Sequence, residues 1–175
     1  MDFNADHFTL FQLPPVFALD LTDLDRRYRE IQAEVHPDRF TQSGENERRL
    51  SMQWATRVNE AYLTLKKPLE RAKYLLHLAG QDIGAENNTA MPMDFLMEQM
   101  EWREAVMEAR QAGQHHELEH LHHRLRSEIA QHYGELGQLL DGEQDYEQAA
   151  DLTRRLMFLE KLLYEIDDAL TALED

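Results

Sequence analysis

The sequence predicts an all-α protein in two parts: a small N-terminal helical domain over residues 1–79 and a three-helix antiparallel bundle over 93–175, joined by a linker at 80–92. Three observations predict it. Apolar residues recur at three- and four-residue spacing along the chain, and no alternating strand pattern competes. All five prolines, at 14, 15, 37, 68 and 92, precede the second part. Long helices can therefore form there without the roughly 3 kcal/mol penalty of an interior proline. The charge divides at the same place, since residues 1–79 carry 11 Lys or Arg and 12 Asp or Glu, whereas residues 80–175 carry 7 and 22.

Composition narrows the function classes. The 175 residues are 42% hydrophobic and 30% charged, which is a globular balance. A net charge of −16 argues against nucleic acid and anionic lipid as main partners, because both would repel the surface. The absence of cysteine excludes disulfides, thiol nucleophiles and cysteine-ligated metal sites. The opening Met-Asp-Phe-Asn-Ala-Asp lacks the basic-then-apolar order of a signal peptide, and no apolar run is long enough to span a bilayer. A cytoplasmic protein is expected.

In the first part, Leu24, Tyr28, Ile31 and Val35 share one helix face, which predicts a helix from about Leu21 to Val35. His36-Pro37-Asp38 stops it, because proline cannot donate the next backbone bond. At 100° per residue with Leu24 at zero, Arg26 and Arg29 fall at about 200° and 140°, facing solvent, with Arg27 on the flank. A basic outer face thus leads to an exposed loop, followed by Arg39. A second helix returns over about 47–65, with Leu50, Trp54, Val58, Ala61, Tyr62 and Leu65 as its apolar face. Gly80, after Tyr74-Leu75-Leu76-His77-Leu78-Ala79, suits a left-handed helix cap.

In the second part, Leu118, Leu121, Leu125, Ile129 and Leu136 form one stripe. Ala149, Leu152, Leu156, Leu159, Leu163, Ile166, Leu170 and Leu173 form another. The turns fall near Gly113 and Gly142, and Gly134 and Gly137 lie within the middle helix. On the helix near 95–110, with Leu96 at zero, Phe95, Gln99, Trp102, Val106 and Ala109 cluster between about 220° and 300° and face the core. Met100, Glu104, Met97 and Glu101 fall at about 40°, 80°, 100° and 140°, with Leu96 at their edge. Methionines beside glutamates can fill the edge of a bundle, or they can form an adaptable contact surface. Phe158 lies about 110° from the centre of the last leucine stripe and reads as exposed.

These segments resemble a known family. Asp25-Arg-Arg-Tyr-Arg-Glu-Ile-Gln-Ala-Glu-Val-His-Pro-Asp-Arg-Phe40 is similar to helix II and the signature loop of a J-domain, and Val58-Asn-Glu-Ala-Tyr-Leu-Thr-Leu65 to its helix III. The opening Asp6-His-Phe-Thr-Leu-Phe-Gln-Leu-Pro14 resembles the short first helix with its proline. Phe95-Leu-Met-Glu-Gln-Met-Glu-Trp-Arg-Glu104 and Arg154-Arg-Leu-Met-Phe-Leu-Glu-Lys-Leu162 resemble the C-terminal domain of the HscB family, the J-type co-chaperones of iron–sulfur cluster assembly.

The resemblance implies a non-enzymatic, cofactor-free co-chaperone. His36, Pro37, Asp38, Arg26, Arg27, Arg29 and Arg39 would dock on the DnaK-type ATPase HscA. Leu96, Met97, Met100, Glu101, Glu104 and Phe158 would bind the cluster scaffold IscU. Glu30 and Glu34 make the second helix less basic than in a general J-domain, which fits a dedicated chaperone. Animal relatives carry a cysteine zinc module; with no cysteine here, the bacterial form is implied.

A second chemistry is formally present. His116-Glu117-Leu118-Glu119-His120 matches the zinc-metalloprotease spacing, and His123 adds a third imidazole on that face. Catalytic zinc needs a shaped, largely dry cleft. With Leu118 at zero, His116, His120 and His123 fall at about 160°, 200° and 140°, opposite the apolar stripe and toward water. A solvated face, with adventitious metal binding second, fits that placement better than a hydrolase, and no metal site is assigned. A general J-protein with a different client is the nearer alternative.

Overall fold

The computed structural model describes residues 1–83 and 91–174. Seven α-helices account for it, with no strand among the described residues: α1 His7–Leu10, α2 Leu21–Val35, α3 Glu45–Lys66, α4 Pro68–Leu78, α5 Met93–Gln111, α6 His115–Gly137 and α7 Tyr146–Glu174. The chain divides into two units, Met1–Leu75 and Leu76–Asp175. Most of the linker expected at 80–92, residues 84–90, lies outside the described residues.

In the first unit, α2 packs antiparallel on α3, with α1 laid against α3. The α2 boundaries follow from local chemistry. The Asp20 carboxylate accepts the N–H groups of Thr22 and Asp23 at 3.0 and 3.1 Å, a cap worth about 1 kcal/mol, and Pro37 ends the far side. Leu24, Val35, Val58, Ala61 and Leu65 are buried with Phe8, Phe11 and Phe17 of the N-terminal segment. The Tyr28 and Tyr62 rings stack at 3.9 Å across the two helices, and their hydroxyls donate to Asn59 and Asp25 at 2.7 Å each. The Ser51 hydroxyl donates to the Val35 carbonyl at 2.7 Å, satisfying a group left free where α2 stops. Arg71, buried in α4, donates to the carbonyls of Phe17 and Leu65 at 2.8 and 2.6 Å. Leu50 departs from the expected apolar face: it is exposed, while its neighbour Ser51 is the residue buried against the end of α2.

Glycine is required at two helix ends. Gly80 (φ 84°) and Gly113 (φ 62°) are left-handed, and each closes a double carbonyl-capping turn. At the first, Gly80 and Gln81 donate to His77 and Leu76; at the second, Gly113 and Gln114 donate to Arg110 and Ala109.

In the second unit, α6 and α7 form the main seam and α5 packs on both. Leu118, Leu121, Leu125 and Leu136 of α6 are buried, against Leu156, Leu159, Leu162 and Ile166 of α7. Each such leucine contributes roughly 1.5–3 kcal/mol through burial. The α7 stripe is rotated slightly from the sequence expectation. Leu162 and Ala169 are buried, Leu152, Leu163 and Leu170 are half-buried at the edge, and Leu173 is exposed in the last turn. The α6–α7 turn is a wide helical turn over Gln138–Glu143, closed by Gln144 in the left-handed region (φ 52°). Asp145 then caps α7 by accepting the Gln148 N–H at 3.1 Å.

Candidate functional site

The loop between α2 and α3 is built from the helix stop itself. His36 is extended (φ −60°, ψ 130°), and Pro37–Phe40 form a single 3₁₀ turn with proline in its first position. Nδ1 of His36 accepts the Asp38 N–H at 3.2 Å. A neutral ring accepting at Nδ1 carries its proton on Nε2, which leaves one donor for an outside partner. The Asp38 side chain is 87% exposed, 3.5 Å from the same Nδ1. Arg39 donates back to the Ala33 carbonyl at 3.2 Å, tying the loop to the last turn of α2.

The arginines flanking this loop are not equivalent. Arg26 is exposed but pairs with Asp23 and, at 3.0 Å, with Glu30. Arg27 is half-buried, with Nε 3.2 Å from Asp23 and a further bond to the Phe11 carbonyl at 3.1 Å. Hydrogen bonding to Arg26, then to Arg27, holds the Asp23 carboxyl below its ordinary range despite some desolvation. Arg29 is exposed and makes no close ion pair among the described residues. The same holds for Arg48 and Arg49, within one turn of Ser51, whose hydroxyl bonds the end of α2. The sequence reading missed these two; the signal was a basic pair opening the returning helix.

On α5, Leu96, Met97, Met100, Glu101 and Glu104 are all exposed, with Met100 at 72%. Phe95, Trp102, Val106 and Ala109 are buried on the opposite side. Phe158 corrects the reading of an exposed aromatic: it is half-buried. Its ring meets Phe95 edge-to-face at 6.0 Å, and the Arg103 guanidinium lies 5.4 Å above it. Those two contacts bracket the turns carrying Leu96, Met97 and Met100, and so bring Phe158 alongside them. The sequence reading missed Met107, exposed farther along α5. It lines an open groove of about 700 Å³ together with Met100, Arg103, Glu104, Arg110, Leu162 and Glu165.

Arg155 of α7 fastens the start of α5. Its guanidinium lies 3.2 Å from Glu98, 3.8 Å from Asp94 and 5.0 Å from the Phe95 ring centre. Burial, and then a hydrogen bond to the neighbouring carboxyl of Glu128, push Glu98 up to about 7 against the pull of Arg155.

The histidines of α6 lie where the sequence places them. His116, His120 and His123 are exposed. His115 and His116 approach Glu119 at 3.7 and 3.6 Å, and His122 meets Asp167 of α7 at 2.7 Å. Among the described residues, no three His, Asp or Glu side chains converge to hold a metal ion.

A helical hairpin presenting His-Pro-Asp, followed in the chain by a separate helical bundle, defines a J-domain co-chaperone. Residues 91–167 match the family described as the HSCB C-terminal oligomerisation domain. The co-chaperone protein HscB homolog of Aromatoleum aromaticum is 56% identical over 174 residues, covering 99% of this chain and 98% of its own. That of Azoarcus sp. is 54% identical, with 100% and 99% covered. Among solved structures, chaperone HscB from Vibrio cholerae aligns with a TM-score of 0.84 at 35% identity, over 97% of this chain and 99% of its own. Human co-chaperone HscB aligns at 0.88 and 28%, over 95% and 83%. The chain belongs to the HscB family, the J-type co-chaperones of iron–sulfur cluster assembly.

Proposed function

We propose that this chain stimulates the ATPase of the DnaK-type chaperone HscA and delivers the iron–sulfur scaffold IscU to it. The observation that carries the reading is the pairing of two unlike surfaces in separate units. One is an exposed His36-Pro37-Asp38 loop flanked by the exposed arginines Arg29 and Arg39; the other is a methionine-rich patch on α5 completed by Phe158. The loop supplies charge-assisted and imidazole contacts to an acidic ATPase surface. The patch supplies adaptable apolar contact, with Glu101 and Glu104 as a polar rim. Neither surface needs to change a covalent bond, since the chemistry belongs to the ATPase. Delivery follows from linkage: holding client and chaperone through one chain raises the local concentration of each for the other.

The test is the single-turnover ATPase rate of HscA with this protein, IscU, both and neither. The chain alone should accelerate hydrolysis, and the two together should exceed the product of their separate effects. Acceleration without synergy would leave a J-protein serving a different client.

A further inference from the structure

We infer that Arg103, held by Glu165, is a positioning residue for the scaffold-binding surface, setting the orientation in which Phe158 meets its partner. The inference rests on the proposed scaffold reading and adds a residue pair to it. Arg103 projects from α5 between Trp102 of the core and Glu104 of the exposed face. Its Nη1 lies 2.7 Å from Glu165 Oε2 on α7, and its guanidinium carbon lies 5.4 Å from the Phe158 ring centre. Phe158 and Glu165 are seven residues apart on α7, two turns on one side, so a single α5 side chain reaches both. The Phe158 ring also meets Phe95 edge-to-face, at 85° to it, and Arg155 lies over Phe95 in turn. Two arginines thus bracket an aromatic pair.

Phe158 is half-buried, so the ring has room to turn away from the surface unless something holds it. A guanidinium over the ring face favours one orientation through the ring quadrupole, and the Glu165 carboxylate keeps that guanidinium in place. An aromatic anchor fixed before contact loses less rotamer freedom on binding. Arg103 needs no contact with the partner for this role.

The experiment is a double-mutant cycle in the full chain, with binding to IscU read by titration calorimetry. Arg103→Gln should weaken binding about five- to tenfold, and Arg103→Lys, which keeps a cation for both Glu165 and the ring, should restore most of it. Phe158→Ala should weaken binding further. Arg103→Gln added to Phe158→Ala should then change little, because its route of action is gone. An equal loss in both backgrounds would mean that Arg103 touches the partner itself or acts elsewhere, and would overturn the inference. In the free protein, the Phe158 ring resonances and their cross-peaks to Phe95 should shift in Arg103→Gln and return in Arg103→Lys. That measurement needs no partner. Unmoved resonances sink the positioning role even if the scaffold reading stands. Moved resonances beside unchanged affinity in Phe158→Ala sink the scaffold surface, and with it this role in binding.

Discussion

Nδ1 of His36 accepts the backbone N–H of Asp38 at 3.2 Å, so the loop's imidazole is oriented by the loop's own backbone. Both side chains lie outside α2 and α3, and neither enters the core. His36→Gln should therefore abolish stimulation of HscA while leaving helicity nearly unchanged. Asp38→Asn should do the same, because that carboxylate is 87% exposed and serves no packing role. Circular dichroism beside ATPase rates checks both, and a His36→Gln protein that stimulates like the parent would remove the docking role.

Arg29 makes no close ion pair among the described residues, whereas Arg26 is paired with Asp23 and Glu30. Arg29→Ala should reduce stimulation more than Arg26→Ala, because Arg26 must first leave Asp23 and Glu30. Arg27→Ala should also cost about 1 kcal/mol of stability through its lost bond to Phe11. Raising salt from about 0.05 to 0.5 M shortens the Debye length several-fold and should weaken HscA docking more than scaffold binding. Equal salt slopes for the two partners would contradict the division between a charged and an apolar surface.

Local rules made the α2 bounds and the exposed α5 face legible. An aspartate cap, a proline stop and a 100° step per residue need only the helix itself. What the sequence hid depends on other helices. Phe158 points off its own leucine stripe, yet Phe95 and Arg103 of α5 half-cover it. Leu50 and Leu173 carry the right periodicity but lie near the ends of their helices and are exposed. The pairing of Arg26 was readable from Asp23 and Glu30 at three and four residues' distance, but projection onto an angle reports direction and omits partners.

Glu98 gives the second unit a pH dependence of definite sign. Burial first, and then its neighbour Glu128, raise its folded value to about 7, above that of the unfolded chain, so the folded state holds the proton more tightly. The stability it contributes is complete below the unfolded value of about 4.5 and is lost as pH rises through about 7. Melting of the second unit should therefore be lower at pH 8 than at pH 6. Glu98→Gln, which stays neutral beside Glu128, should flatten that difference. A Tm that rises between those pH values in the parent, with no change in Glu98→Gln, refutes the assignment.

Gly134 lies inside α6 with open space where a β-carbon would stand. Its backbone is not in the left-handed region. Gly134→Ala should stabilise the protein by about 0.5–1 kcal/mol, through reduced freedom of the unfolded chain and better helix propensity. Thermal melts should show the gain while affinity for both partners stays at the parental level.

The patch on α5 can be tested apart from the aromatic beside it. Leu96, Met97 and Met100 are 40%, 56% and 72% exposed, so changing all three to serine removes little buried area. The stability cost should stay near or below about 1.5 kcal/mol in total, within the range of surface substitutions. Phe158→Ser is different, because it also empties the edge contact with Phe95 and the seat under Arg103. It should cost more stability by itself than the other three together, though less than the roughly 3–5 kcal/mol of a wholly buried phenylalanine. Both variants should lower IscU affinity tenfold or more, since interface energy concentrates in a few apolar anchors. Basal stimulation of HscA should persist in both, because the loop at 36–38 is untouched, and the synergy with IscU should vanish. Calorimetric titration beside melting curves decides the matter. Full affinity in the triple variant would remove α5 from the interface, and a collapsed Tm there would mean that these three side chains serve packing instead of contact.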